Sequence, residues 1–210
     1  MTRRPLGEKT LSSRVIAVLR ADTVERLAPV CDVLVEEGIV SLEFTMTTPG
    51  ILDALPTLVG RYGAVADVGL GTVTTPAQAS AAIDAGVGYL VTPALYPAVI
   101  DLAVRGETAI LPGGLTPTEL AAGWEAGAAA VKIFPAQTVG PEYLRHLHGP
   151  FPELIAIPSG GVDVEAAGVW LTAGAAAVSI GGPLLGDALS GGDPAALRRR
   201  CAAVRSAAAP

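Results

Sequence analysis

The chain has 210 residues, half of them hydrophobic, 16% charged and 4% aromatic, with a formal net charge of −6. That length and apolar content allow one large domain with a sizeable core of Ala, Val, Leu and Ile, and they exclude a disordered chain. The acidic balance argues against a nucleic-acid partner, and no apolar run approaches the ~20 residues that cross a bilayer, so no membrane partner is expected.

The basic start MTRRPLGEKTLSSR leads into a short apolar stretch, Val15 to Leu19, too brief for a signal-peptide core. Cys31 and Cys201 lie far apart in helical patterns, without CxxC or zinc spacing, which predicts a cytoplasmic protein with free thiols. Residues 1–14 read as a leader segment and residues 15–210 as one domain.

From there strand-like runs alternate with helix patterns. The runs are VIAVL (15–19), SLEFTM (41–46), AVADVGL (64–70), YLVT (89–92), AILP (109–112), AVKIF (130–134), IAIPS (155–159) and AVSIGG (177–182). Between the first two, Asp22-Thr23 opens a helical pattern that stops at Gly38. Thr48-Pro49, Thr75-Pro76, Thr116-Pro117 and Gly140-Pro141 place proline at or near a first helical turn, where its missing N–H costs nothing. Gly86 and Gly127 supply C-terminal stops. Eight such strand–helix pairs predict a single parallel (β/α)8 TIM barrel, which removes both sheet edges. An open doubly wound sheet would carry a Gly-rich turn after its first strand, and VLRADT is not one.

In a barrel the active site lies at the C-terminal strand ends. Arg20 ends the first strand. Glu43, Thr45 and Thr47 alternate along the second and share its inward face, with Leu42, Phe44 and Met46 opposite. Thr72 follows the third strand and Pro93 the fourth. Lys132 and Phe134 share the inward face of the sixth, opposite Val131 and Ile133. Ser159, Gly160 and Gly161 close the seventh strand, and Gly181 and Gly182 the eighth.

Lys132 stands out because the chain has twelve arginines and only two lysines, the other being Lys9. An ordinary lysine has only ~0.1% neutral amine near pH 7, and burial disfavours the charged form. Arginine stays charged, so a buried position that needs a nucleophilic amine needs lysine. Glu43, on the opposite side of the ring, is placed to move protons for a Schiff base formed there. A structural ion pair between the two is the competing reading. Arg20 offers a forked contact to a carboxylate, the threonines offer hydroxyls, and the two glycine pairs suit a phosphate. His146 and His148, the only histidines, do not face one another on a helix, and no ligand cluster points to a metal. The run Arg198 to Arg200 reads as a solvated helix face. A sugar-phosphate epimerase or synthase on the same barrel, and a barrel that senses a keto acid without turnover, remain as alternatives.

The segments LEFTMTTP, GLGTVTTPAQ, LPGGLTPTEL, VKIFPA, GPFP and PSGGV, in this order from about Val15 to Leu185, resemble the 2-keto-3-deoxy-6-phosphogluconate and 4-hydroxy-2-oxoglutarate aldolase family. The resemblance implies a metal-independent class I aldolase, usually a homotrimer, that cleaves a 2-keto-3-deoxy acid to pyruvate and an aldehyde. No cofactor is implied beyond the covalent imine. It implies Lys132 as the Schiff-base lysine, Glu43 as general acid/base and Thr72 as a pyruvate contact. Pro93 and Phe134 then line the pocket, and Ser159-Gly160-Gly161 forms a phosphate turn. Many members hold the pyruvate carboxylate with an arginine at the position of Thr47; others have threonine there and an arginine after the first strand, as Arg20 is here. Pro183 stands where members carry a phosphate-binding serine, so the lyase chemistry is implied more firmly than the phosphate.

Overall fold

The run VIAVL forms β1 (Val15–Leu19) over its full expected length, with every side chain but Val18 buried in apolar surroundings. Every later run also forms a strand: β2 (Ser41–Thr45), β3 (Asp67–Gly71), β4 (Tyr89–Val91), β5 (Ala109–Leu111), β6 (Gly113–Gly114), β7 (Val131–Ile133), β8 (Ala156–Pro158) and β9 (Val178–Ile180). The computed structural model describes residues 3–209. Ten helices accompany the strands there: α1 (Glu8–Ser13), α2 (Leu27–Glu36), α3 (Ile51–Tyr62), α4 (Pro76–Asp84), α5 (Pro97–Arg105), α6 (Pro117–Glu125), α7 (Pro141–Leu147), α8 (Val164–Thr172), α9 (Gly182–Leu185) and α10 (Pro194–Ala208).

All strand pairs are parallel and form a curled sheet in two parts, of order β5-β4-β3-β2-β1-β9 and β6-β7-β8. The expected fifth strand is divided at Pro112, which has no N–H to donate to a ladder. Its carbonyl still accepts from Lys132 N at 2.9 Å. Side-chain alternation separates two apolar clusters. The larger packs helices onto the outer face of the sheet through residues such as Leu19, Leu34, Phe44 and Val204. The smaller fills the concave face with Ile16, Tyr89, Leu111 and Ile157.

Thr75 and Thr116 cap α4 and α6 with full capping boxes, in which Gln78 and Glu119 return the bond. At Thr48-Pro49 the chain turns once more, so α3 starts at Ile51 behind a left-handed Gly50. The arginine run of α10 is not simply solvated. Arg198 reaches Glu36 and Glu37 at 2.6 and 2.8 Å, and Arg200 donates to the carbonyls of Leu184 and Leu185, both at 2.6 Å. Cys31 and Cys201 are free thiols on the buried faces of α2 and α10, which pack together.

The described part of the leader, residues 3–14, is docked onto the rest of the chain, and residues 1 and 2 lie outside the described residues. Leu6 joins the inner cluster at 6% exposure. Thr10, fully buried, donates from both N and Oγ1 to Asp67 Oδ2 at 2.8 Å. Its hydroxyl lies 2.8 Å from Ser41 Oγ, which lies 3.1 Å from the Tyr89 hydroxyl. A polar chain thus runs from α1 into the concave face, and it satisfies hydroxyls that would be costly to bury alone. Truncating Leu6 to Ala should leave a cavity at this end and lower unfolding stability by about 2–3 kcal/mol. A urea midpoint moved down at unchanged slope is the expected observation.

Candidate functional site

The inward face of β2 carries Ser41, Glu43 and Thr45, all buried because strands on both sides cover them. Glu43 is 2% exposed, yet it has room because β3 presents Gly69 and Gly71 to the same space. A Cβ on Gly71 would fall inside the Glu43 carboxylate, and one on Gly69 inside the Tyr89 ring. Lys132, on β7, is 8% exposed, and its Nζ stands 4.9 Å from the centroid of the Phe134 ring.

Both side chains open onto one cavity of about 500 Å³ at the C-terminal ends of the strands. Arg20, Thr72, Pro93, Phe134, Ser159, Gly160, Gly161, Gly181 and Gly182 line it. Thr47 is left out: β2 ends at Thr45, Thr48 N closes a turn onto Thr45 O at 3.0 Å, and Thr47 becomes an exposed partner of the Thr45 hydroxyl. Period-two extrapolation fails there because the strand has already ended. The cavity also takes in Val18, Val162, Ser179, Leu189 and Pro183. Ser179 gives little signal in sequence, being a lone hydroxyl in an alanine-rich strand, although its parity with Gly181 places it on the inner face.

Thr72 adopts φ +61°, a left-handed conformation that is costly outside glycine. The surroundings over-determine it. Val73 N bonds Val91 O at 3.1 Å, and the Gln78 side chain accepts from Thr74 N and Thr75 N at 2.9 and 3.2 Å. Gly160 and Gly161 are both left-handed, at φ +84° and +77°, and a Cβ at Gly160 would press on the Phe134 ring. The glycine turn is therefore built against the aromatic wall of the cavity.

Burial raises the Glu43 carboxyl above its ordinary value of 4.5, while the charge of Lys132, a hydrogen bond from Ser179 and the charge of Arg20 pull it back. The ion pairs within 4.0 Å among the described residues join arginines to surface carboxylates, so Lys132 and Glu43 act on each other across the cavity without a direct bridge. Among the described residues no group of three His, Cys, Asp or Glu side chains forms a metal-ligand cluster. His146 is exposed, and a His148 ring nitrogen lies 3.0 Å from Leu154 O, away from the cavity.

A family model described as KDPG and KHG aldolase matches residues 7–198. A 2-dehydro-3-deoxy-6-phosphogalactonate aldolase of Escherichia coli is 34% identical over 81% of this chain and 83% of its own. A 2-dehydro-3-deoxy-phosphogluconate aldolase of Pseudomonas aeruginosa is 30% identical over 73% and 70%. The solved 2-keto-3-deoxy-6-phosphogluconate aldolase of Zymomonas mobilis superposes with a TM-score of 0.81 at 27% identity, over 93% of this chain and 95% of that one.

The crowding of Glu43 is testable without an assay. Gly71→Ala should destabilise the protein by about 1–3 kcal/mol, and by much less in a Glu43→Ala background, because the two side chains compete for one space. Glu43→Gln should raise the thermal midpoint at pH 8. A carboxyl whose folded pKa is raised carries a penalty that is absent below 4.5, grows as pH rises from there to the folded value, and is constant above it. The gain should therefore vanish at pH 4, in a comparison of the two unfolding curves.

Proposed function

The chain belongs to the KDPG and KHG aldolase family of carbon–carbon lyases, and from that premise we propose that it cleaves a 2-keto-3-deoxy acid to pyruvate and an aldehyde through an imine on Lys132. The observation that carries the reading is the placement of a buried lysine and a buried glutamate in one cavity, with no direct ion pair to immobilise either.

In this reading Lys132 Nζ attacks the C2 carbonyl, and the carbinolamine loses water to give an iminium. Glu43, as carboxylate, removes the proton of the C4 hydroxyl. The C3–C4 bond breaks, its electrons pass into the iminium to form an enamine, and the aldehyde leaves. Glu43 returns the proton to C3, and water releases pyruvate and the free amine. A carboxyl held above its ordinary pKa by burial suits a group that must both take and give a proton. Arg20 and Thr72 are assigned the carboxylate of the keto acid, and Pro93 and Phe134 the walls.

The Ser159-Gly160-Gly161 turn, with Gly181 and Gly182 beside it, is assigned the far end of the substrate. A phosphate there, as in 2-keto-3-deoxy-6-phosphogluconate, would rest on backbone N–H groups. Pro183 has neither hydroxyl nor N–H, which favours a second reading in which the aldehyde fragment is unphosphorylated, such as glyoxylate from 4-hydroxy-2-oxoglutarate.

The scaffold of this reading is one (β/α)8 barrel over residues 15–210, with the leader beneath it and a homotrimer as the family expectation. Closure is supported by hydrogen bonds between the edges of the two sheets. Ala129 N donates to Ile110 O and Ala176 N to Ala156 O, and Ser159 and Ser179 form a parallel bridge. No described helix is long and apolar enough to cross a membrane. The free thiols are the support for a cytoplasmic location.

Pyruvate trapped with borohydride should leave an adduct on Lys132, mapped by peptide mass spectrometry and lost in Lys132→Arg. An unlabelled Lys132, or an adduct on Lys9 alone, would end the aldolase mechanism. Turnover of phosphorylated against unphosphorylated aldehydes then decides between the two substrates.

A further inference from the structure

Ser179 occupies an unusual place on the concave face. It lies on β9 at 4% exposure, paired in register with Ile16 and bridged to Ser159, and Ala177, two residues earlier on the same face, has no hydroxyl at all. Among the described residues its hydroxyl is the one side chain hydrogen-bonded to the Glu43 carboxylate: Ser179 Oγ donates to Glu43 Oε2 at 3.5 Å. It receives in turn a bond from Ser159 Oγ at 3.3 Å.

The two carboxylate oxygens are therefore distinct. Oε1 lies over Gly71, in the space a Cβ would fill, and Oε2 faces Ser179. The donors run in one direction, Ser159 to Ser179 to Glu43, and such chains strengthen when each hydroxyl donates onward. When Glu43 carries the proton, the same chain can reverse its direction and pass a proton towards Ser159, on the glycine-turn side of the cavity. The other charged and titratable groups around Glu43 are Lys132 from β7, Arg20 after β1 and Tyr89 from β4. None of these is a hydroxyl positioned on Oε2.

We propose that Ser179 is a positioning residue for the proton transfers of Glu43, holding Oε2 and joining it through Ser159 to the glycine turn. The proposal rests on Glu43 being the group that moves protons on the Lys132 imine, so its test reads imine formation and proton transfer separately. Imine formation is read by borohydride trapping of pyruvate. Proton transfer is read by NMR as exchange of the pyruvate methyl protons in D2O, which requires the enamine.

In Ser179→Ala the trapped yield and the pyruvate concentration for half-maximal exchange should hold, while the exchange rate falls about tenfold, a modest part of what general acid–base groups contribute. The acid limb of the rate should also move to higher pH, because the lost donor had favoured the ionised form of Glu43. Ser179→Thr, which returns a hydroxyl, should restore both rate and limb. An acid limb that stays in place in Ser179→Ala overturns the proposal, as does a trapped yield that falls in step with the rate. A wild-type protein with no adduct on Lys132 overturns the aldolase mechanism first, and the role of Ser179 with it.

Discussion

A concave face lined by parallel strands has little free volume, and in this protein the space for chemistry comes from two missing side chains. Gly69 and Gly71 alternate along β3, so both face inward, and each gives up its volume to a neighbour. The Tyr89 ring takes the first and the Glu43 carboxylate the second. A methyl group at either position would push a buried side chain into its surroundings, where close packing leaves few alternatives. Much else follows from that allocation. The ring of Tyr89 reaches Ser41 and, through it, Thr10 of the leader, while Glu43 meets Ser179 and the field of Lys132. The lower part of the concave face becomes a tethered floor and the upper part a cavity.

The energetic character of the site is a carboxylate and an amine kept out of water without a direct bridge. Charges removed from water are expensive unless closely paired, and here the separation forgoes the closest form of compensation. The penalty falls on Glu43 as a raised affinity for protons, which destabilises the fold at neutral pH and suits the proton transfers proposed for the group. Thr72 shows the same economy in the backbone. Its left-handed conformation is held by a capping box and a ladder bond, so local strain is sustained by well-formed structure on both sides.

Much of this was legible from the sequence, because parity and punctuation are local. Period-two spacing placed Glu43 and Lys132 on the inner face, and threonine followed by proline marked α4 and α6 at the residue. The misreadings have separate physical causes. Alternation points Thr47 inward only if β2 runs on to it, and the strand ends at Thr45. The division at Pro112 follows from one missing donor, which an apolar run does not reveal. The docking of α1 depends on Thr10, Asp67 and Ser41, which are far apart in sequence and polar, so no apolar stripe announces them. Ser179 and Tyr89 matter through what they touch, and contacts across the sheet are not a property of either residue's neighbours in the chain.

The two cysteines have a consequence of another kind. Burial holds the Cys31 thiol well above its usual range and pushes Cys201 up to about 11, with no side-chain exposure for either. Neither is then a ready nucleophile in the folded protein. They sit on α2 and α10, which pack against each other, α10 also lying against β1. Alkylating reagents reach them only when those helices part, so the rate of thiol labelling is an intrinsic clock for local opening of this side of the molecule. It can be read without introducing a residue and without disturbing the cavity on the other face of the sheet.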